Sequence, residues 1–153
     1  MSPTLTPNYP TVLRLPLYLL GFVMAALLST GCQPKLFQDA NSLTSFENLK
    51  NQAVALVSKS DQPYSDHAAQ VDALKNDMTS EIAKQKERGE KNGKTVQMLE
   101  LLMDEGSNLL GGVLKRWKSE GSLSSGFAGE AAKLVGENFD KVINLEKSRP
   151  AAP

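Results

Sequence analysis

Beyond residue 32, apolar residues recur at three- and four-residue steps, the spacing of helices that hide one stripe and wet the other. The first run takes in Leu43, Phe46, Leu49 or Lys50, Ala53, Val54 and Val57, and predicts a helix starting near Asn41 or Ser42. It has to stop within Lys59-Ser-Asp-Gln-Pro63, because proline disfavours helix in the residue before it and has no amide hydrogen to donate. Ser65 or Asp66 then caps a second helix. Its stripe is His67, Val71, Leu74, Met78 and Ile82, backed by a charged face of Asp72, Lys75, Asp77, Lys84, Lys86, Glu87 and Arg88. Residues 89–94, with Asn92-Gly93, read as a turn.

A third helix carries Val96, Leu99 and Leu102 or Met103, passes Asp104-Glu-Gly-Ser-Asn108, and resumes through Leu109, Leu110, Val113, Leu114 and Trp117. The pattern leaves open whether Gly106-Ser107 breaks this helix or bends it. Gly121-Ser122 supplies a stop and a new cap. The last helix holds Phe127, Ala131, Leu134, Val135, Phe139 and Val142 and runs to about Lys147; Arg149-Pro-Ala-Ala-Pro153 should fray. Beta-branched and aromatic residues are scattered, which argues against a sheet. The expected fold is all-α, a small antiparallel bundle of about four helices over residues 42–148, with a disordered tail at 149–153.

The N-terminal residues follow a different rule. From Leu15 to Pro34 no residue is charged, and Leu15–Leu28 is apolar but for scattered small breaks, with Arg14 before it and small residues after. A basic residue, an apolar core and a small-residue cleavage site form the order of an export signal, giving a signal peptide at 1–31. An uncleaved membrane-spanning helix is the competing reading, weakened by Pro16 and Gly21. Leu28-Ser29-Thr30-Gly31-Cys32 resembles the lipobox of bacterial lipoproteins, with Gly31 and Cys32 at its strictest positions and Ser29 departing from the leucine commonest there. The resemblance implies recognition of Leu28 to Gly31 by signal peptidase II, cleavage before Cys32 and acylation of that cysteine. It implies nothing about the fold downstream. Gln33, where aspartate commonly retains such proteins at the inner membrane, implies sorting to the outer membrane in a Gram-negative cell. Residues 32–41 would then be a lipidated cysteine and a short tether.

Charge narrows the partners. The chain has 17 basic and 17 acidic residues, and loss of residues 1–31 removes only Arg14. Nucleic-acid binders carry a basic excess that is missing here, so no nucleic acid is expected. The single cysteine excludes an intramolecular disulfide, and lipid on it would consume the only thiol.

Candidate chemistry is sparse. His67, the one imidazole, would be a general base or metal ligand in a functional reading and a capping or rim residue in a structural one. Without a second histidine or a free cysteine, a soft-metal site has too few ligands, so neither metal nor cofactor is expected. Asp104 and Glu105 are sequence neighbours, pointing about 100° apart on a helix, and read as a solvated face rather than an acid/base pair. Gly111-Gly112 lies within a helical pattern rather than after a strand, which rules out a phosphate loop. Two glycines cost a helix about 1 kcal/mol each, so they suggest close approach by another helix. Lys115, Arg116, Trp117 and Lys118 crowd the same helix's end. They could face anionic lipid, with the indole at headgroup level; they could dock a protein; or Trp117 could be core and the cations could favour the helix dipole. Asn108-Leu-Leu-Gly-Gly with Lys115-Arg-Trp-Lys118 is loosely similar to uncharacterised small helical lipoproteins, a likeness that brings no activity. The expectation is a non-enzymatic, membrane-anchored binding or scaffolding protein of the cell envelope; the alternative is a small periplasmic enzyme, accessory or inhibitor using His67 and carboxylates.

Overall fold

The computed structural model describes residues 36–151, and all of its regular structure is helical. Five helices follow one another: α1 (Ala40–Val57), α2 (Ala68–Glu87), α3 (Gly93–Met103), α4 (Leu110–Glu120) and α5 (Ser125–Lys147). Short 3-10 turns at Tyr64–Asp66 and Glu90–Asn92 lead into α2 and α3. The lipobox residues Leu28, Ser29, Thr30, Gly31 and Cys32 lie outside the described residues. No helix among those described is long and apolar enough to cross a membrane.

Most of the stripe residues meet in the core, while Leu43, Val54, Ile82 and Phe127 are only partly buried against it and Leu134 is exposed. Phe46, Leu49, Ala53, Val71, Leu74, Met78, Leu99, Leu102, Val113, Leu114, Val135, Phe139 and Val142 form one buried cluster. Leu49 and Leu102, rather than Lys50 and Met103, are the buried members of their ambiguous pairs. α1 packs most extensively on α5. The two run antiparallel, with Lys50 Nζ 2.6 Å from Asp140 Oδ1 and Lys147 Nζ 3.3 Å from Glu47 Oε1. On the opposite flank Gln85, near the end of α2, reaches Ser42, near the start of α1, so these helices are antiparallel as well.

Several boundaries depart from the sequence pattern. α1 begins at Ala40, because Asp39 caps it: Asp39 Oδ1 accepts from the Asn41 amide at 3.0 Å. Neither Ser65 nor Asp66 caps α2; both sit in the 3-10 turn, and His67 takes the position before the helix without a side-chain cap bond. α5 is capped by Ser124, whose Oγ accepts from the Phe127 amide at 3.3 Å, and not by Ser122. Gly121 ends α4 with φ +80°, a conformation that a side chain resists.

The third expected helix is two. α3 ends at Met103, where Asp104 turns extended, and α4 starts at Leu110. Local bonds stabilise the break: Asp104 Oδ1 accepts from the Gly106 amide at 2.9 Å, and Ser107 Oγ donates to the Asp104 carbonyl at 2.7 Å. Gly111 and Gly112 belong to this break. A Cβ on Gly111 would fall on the Met103 carbonyl, and one on Gly112 on the Ser107 carbonyl. The close neighbour of Gly111 is therefore the C-terminal residue of α3, the approach by another helix that the glycines suggested, and that of Gly112 is the turn at Ser107.

Gly112→Ala should destabilise the domain by about 1–3 kcal/mol, the usual scale of overpacking against atoms that cannot move aside. In Gly129→Ala on α5, the new Cβ meets nothing within 4 Å. That change should stabilise by roughly 0.5–1 kcal/mol. Urea unfolding midpoints of the two variants check the contrast.

Candidate functional site

Each polar residue singled out from the sequence has a definite place. His67 is half-buried at the start of α2. Its Nε2 lies 2.7 Å from Gln62 Oε1 and its Nδ1 3.2 Å from Gln70 Oε1. Its ring stacks at a tilt on Trp117, with centroids 5.5 Å apart. The imidazole thus has two amides and an indole for neighbours, and no carboxylate to orient it as a base. Among the described residues, no group of three or more metal-ligating side chains converges.

Trp117 has no exposed surface. Its Nε1 donates to the Gln62 carbonyl at 2.8 Å, and its ring and that of Tyr64 pack at right angles with centroids 5.6 Å apart. Of the group Lys115, Arg116, Trp117 and Lys118, the indole is therefore core and takes no part in a surface contact. The three cations are exposed but dispersed. Lys115 approaches Glu105 at 3.8 Å, which Lys75 also approaches at 3.4 Å. Arg116 pairs with Glu120 at 2.8 Å and lies 4.6 Å over the Phe127 ring. Phe127 also lines a shallow groove of about 450 Å³ with Asn108, Ala131, Leu134 and Glu130. Leu134, expected in the core, is 39% exposed there.

The densest polar constellation is one the sequence reading passed over. At the end of the bundle where α1 begins and α5 finishes, Glu146 is wholly buried. Its Oε1 accepts from the Asp39 amide at 2.8 Å and from Arg88 Nη2 at 3.1 Å, and its Oε2 accepts from Arg149 Nη1. Arg149 Nη2 continues to Asn92 Oδ1 at 2.6 Å and Thr95 Oγ1 at 2.7 Å. Arg88 donates from Nη1 to Gln85 Oε1 and Ser42 Oγ, and from Nη2 to the Phe37 carbonyl at 2.9 Å. Gln85 Nε2 donates to Ser42 Oγ and to Glu81 Oε1, and Asn92 Nδ2 to Gln85 Oε1. We call this network the clasp. It draws on α1, α2, α3, α5 and the residues that enter and leave the domain.

The clasp redraws both ends of the expected domain. Gln38 donates its amide to the Pro150 carbonyl at 2.9 Å. The ordered chain therefore starts before the expected tether ends, and it extends past Lys147 through Arg149, which was expected to fray. Charges balance within it: Asp39, Glu81 and Glu146 face Arg88, Arg149 and, at the rim, Lys84, whose Nζ is 3.9 Å from Glu81 Oε2. The Ser42 hydroxyl bond, against the opposing effect of burial, holds the Asp39 carboxyl below its ordinary 3.8, and the Asn41 amide and Arg88 add to this. Burial pulls the Arg149 guanidinium down from its usual range while Glu146 opposes the fall, and arginine stays charged at any working pH. Such an arrangement can hold the two ends of the described domain in register. Among the described residues, each buried side-chain polar atom of the clasp has a hydrogen-bond partner.

Comparison with protein-family models, curated proteins and solved structures returned no match.

Two outcomes follow from this geometry. Glu146→Ala takes the direct carboxylate partner from two partly buried guanidiniums and should cost about 3–5 kcal/mol in urea unfolding; a loss under 0.5 kcal/mol would mean the clasp carries no weight. Asp39→Ala should cost about 1 kcal/mol at neutral pH. Because the folded pKa of Asp39 is depressed, its contribution is complete above the unfolded value and fades as pH falls through the folded one. The gap between wild type and variant should therefore narrow below about pH 4, as unfolding curves across pH will show.

Proposed function

We propose that the protein is an exported lipoprotein of the bacterial cell envelope, held on a membrane by acyl chains on Cys32, whose helical bundle binds or scaffolds another envelope component. The observation that carries this reading is the uncharged run from Leu15 ending in Gly31-Cys32, with the chain's only thiol at its end. Each buried methylene contributes about 0.8 kcal/mol, so two or three acyl chains on one cysteine make a lasting anchor where a single chain does not. Gln33 favours the outer membrane, facing the periplasm, in a Gram-negative cell.

A binding role is favoured over catalysis by what surrounds the titratable groups. His67 has amide and indole neighbours, and the buried acids and arginines are spent on each other. The groove beside Phe127 and Leu134 is shallow and partly apolar, a shape that suits a protein side chain better than a small substrate.

Intact-mass spectrometry of the protein purified from membranes should find residues 1–31 missing and diacylglyceryl with further acyl mass on Cys32. Cys32→Ser should move it to the soluble fraction. An intact leader or an unmodified cysteine removes the anchor from the reading. His67→Ala should complement a deletion strain fully; loss of complementation with the fold intact would revive the enzyme alternative.

A further inference from the structure

The clasp fixes where the folded domain begins. Arg88 holds the Phe37 carbonyl, the Gln38 amide bonds to Pro150 and the Asp39 amide bonds to Glu146. From Cys32 to Phe37 there are five residue steps, which span at most about 18 Å even when fully extended. An acylated Cys32 sits at the headgroup level, so the clasp end can lie no further than that from lipid. The opposite end, with Trp117, is displaced along α1, whose 18 residues measure about 27 Å.

Charge is polarised along the same direction. Residues 84–94, which close α2 and turn into α3, carry five cations (Lys84, Lys86, Arg88, Lys91 and Lys94) against Glu87 and Glu90. The rest of the chain from Cys32 onward carries eleven cations against fifteen acids. Lys86, Lys91 and Lys94 are exposed, and Lys147 joins them from the end of α5. Of the acids at this end, Asp39 and Glu146 are turned inward to the clasp and Glu87 and Glu90 are exposed, offsetting part of the turn's charge, while Lys86 and Lys147 are held by exposed pairs to Glu100 and Glu47 that water weakens.

We infer that the clasp end of the bundle, led by the turn carrying Lys91 and Lys94, rests on anionic lipid headgroups, with the Trp117 end directed away from the membrane. This inference depends on the anchor at Cys32. An anionic bilayer attracts the basic turn and repels the acidic remainder, so both effects turn the domain the same way within a Debye length of the surface.

The test is lysine footprinting of the full-length protein purified from membranes and reconstituted in vesicles of phosphatidylcholine, with or without phosphatidylglycerol. A water-soluble amine reagent should modify Lys91 and Lys94 at least about threefold more slowly when phosphatidylglycerol is present, an effect that high salt removes. Lys118 should react equally in both vesicles. In the double variant Lys91→Glu with Lys94→Glu, both at exposed positions, Lys86 should lose its protection. Equal reaction of Lys91 in both vesicles, or protection of Lys118 instead, overturns the inference. Intact mass separates the two failures: acylated Cys32 with an unprotected turn sinks the orientation alone, whereas unmodified Cys32 sinks the anchor and the orientation with it.

Discussion

A carboxylate without exposed surface must be neutralised where it sits, and Glu146 is such a group. Two guanidiniums and a backbone amide do this, and each of those donors is itself held by a different segment of the chain. Arg88 is at the end of α2, Arg149 follows α5, and the amide belongs to the cap of α1. None of the three can shift by a residue without leaving charge unpaired in a poor dielectric, where the penalty is several kcal/mol. The net stabilisation of such a cluster against an apolar core can be small. Its effect is to make one register of the helices far better than the neighbouring ones, which a stripe of leucines and alanines would not do as sharply.

That function explains why the bundle's polar end was hard to read in advance. Along α2 the buried positions are Val71, Leu74, Met78, Glu81 and Gln85, and Arg88 continues the same three-and-four spacing. The α5 series Val135, Phe139, Val142 and Glu146 continues to Arg149, and the α1 series Leu49 and Phe46 runs back to Ser42 and Asp39. Every stripe keeps its period while its chemistry turns polar at the same end. Following apolar residues alone, the eye stops at Met78 or drifts to Ile82 and assigns Lys84 to Arg88 to solvent. Following the period regardless of residue type would have lined up the clasp.

The apolar parts were legible for the same reason. Phe46, Leu74, Leu99, Leu114 and Phe139 are buried because only their faces of the helices can be hidden together, and their spacing says which faces these are. Helix ends were less legible, since Asp39, Ser124 and the turn at Tyr64–Asp66 are set by local hydrogen bonds that several nearby serines and aspartates could equally make. The double glycine was read correctly as a close approach by another helix at Gly111, against the end of α3, while Gly112 abuts the turn at Ser107. A pattern of residues shows that room is needed, and only the path of residues 103–109 shows what occupies it.

The two ends of the bundle are therefore specified by different physics. One end has its polar groups paired internally and joins the N- and C-terminal segments of the domain, which leaves little there that can change without unfolding. The other ends in an aromatic corner of Trp117, Tyr64 and His67, with Arg116 over Phe127 and a half-exposed Leu134 on the adjoining face of α5. Its polar contacts are exposed and pairwise, so they can exchange partners at little cost. A protein that must stay fixed at one end and recognise something with the other would divide its interactions in this way. Under the proposed binding role, the α4–α5 end is where the surface leaves room for a partner.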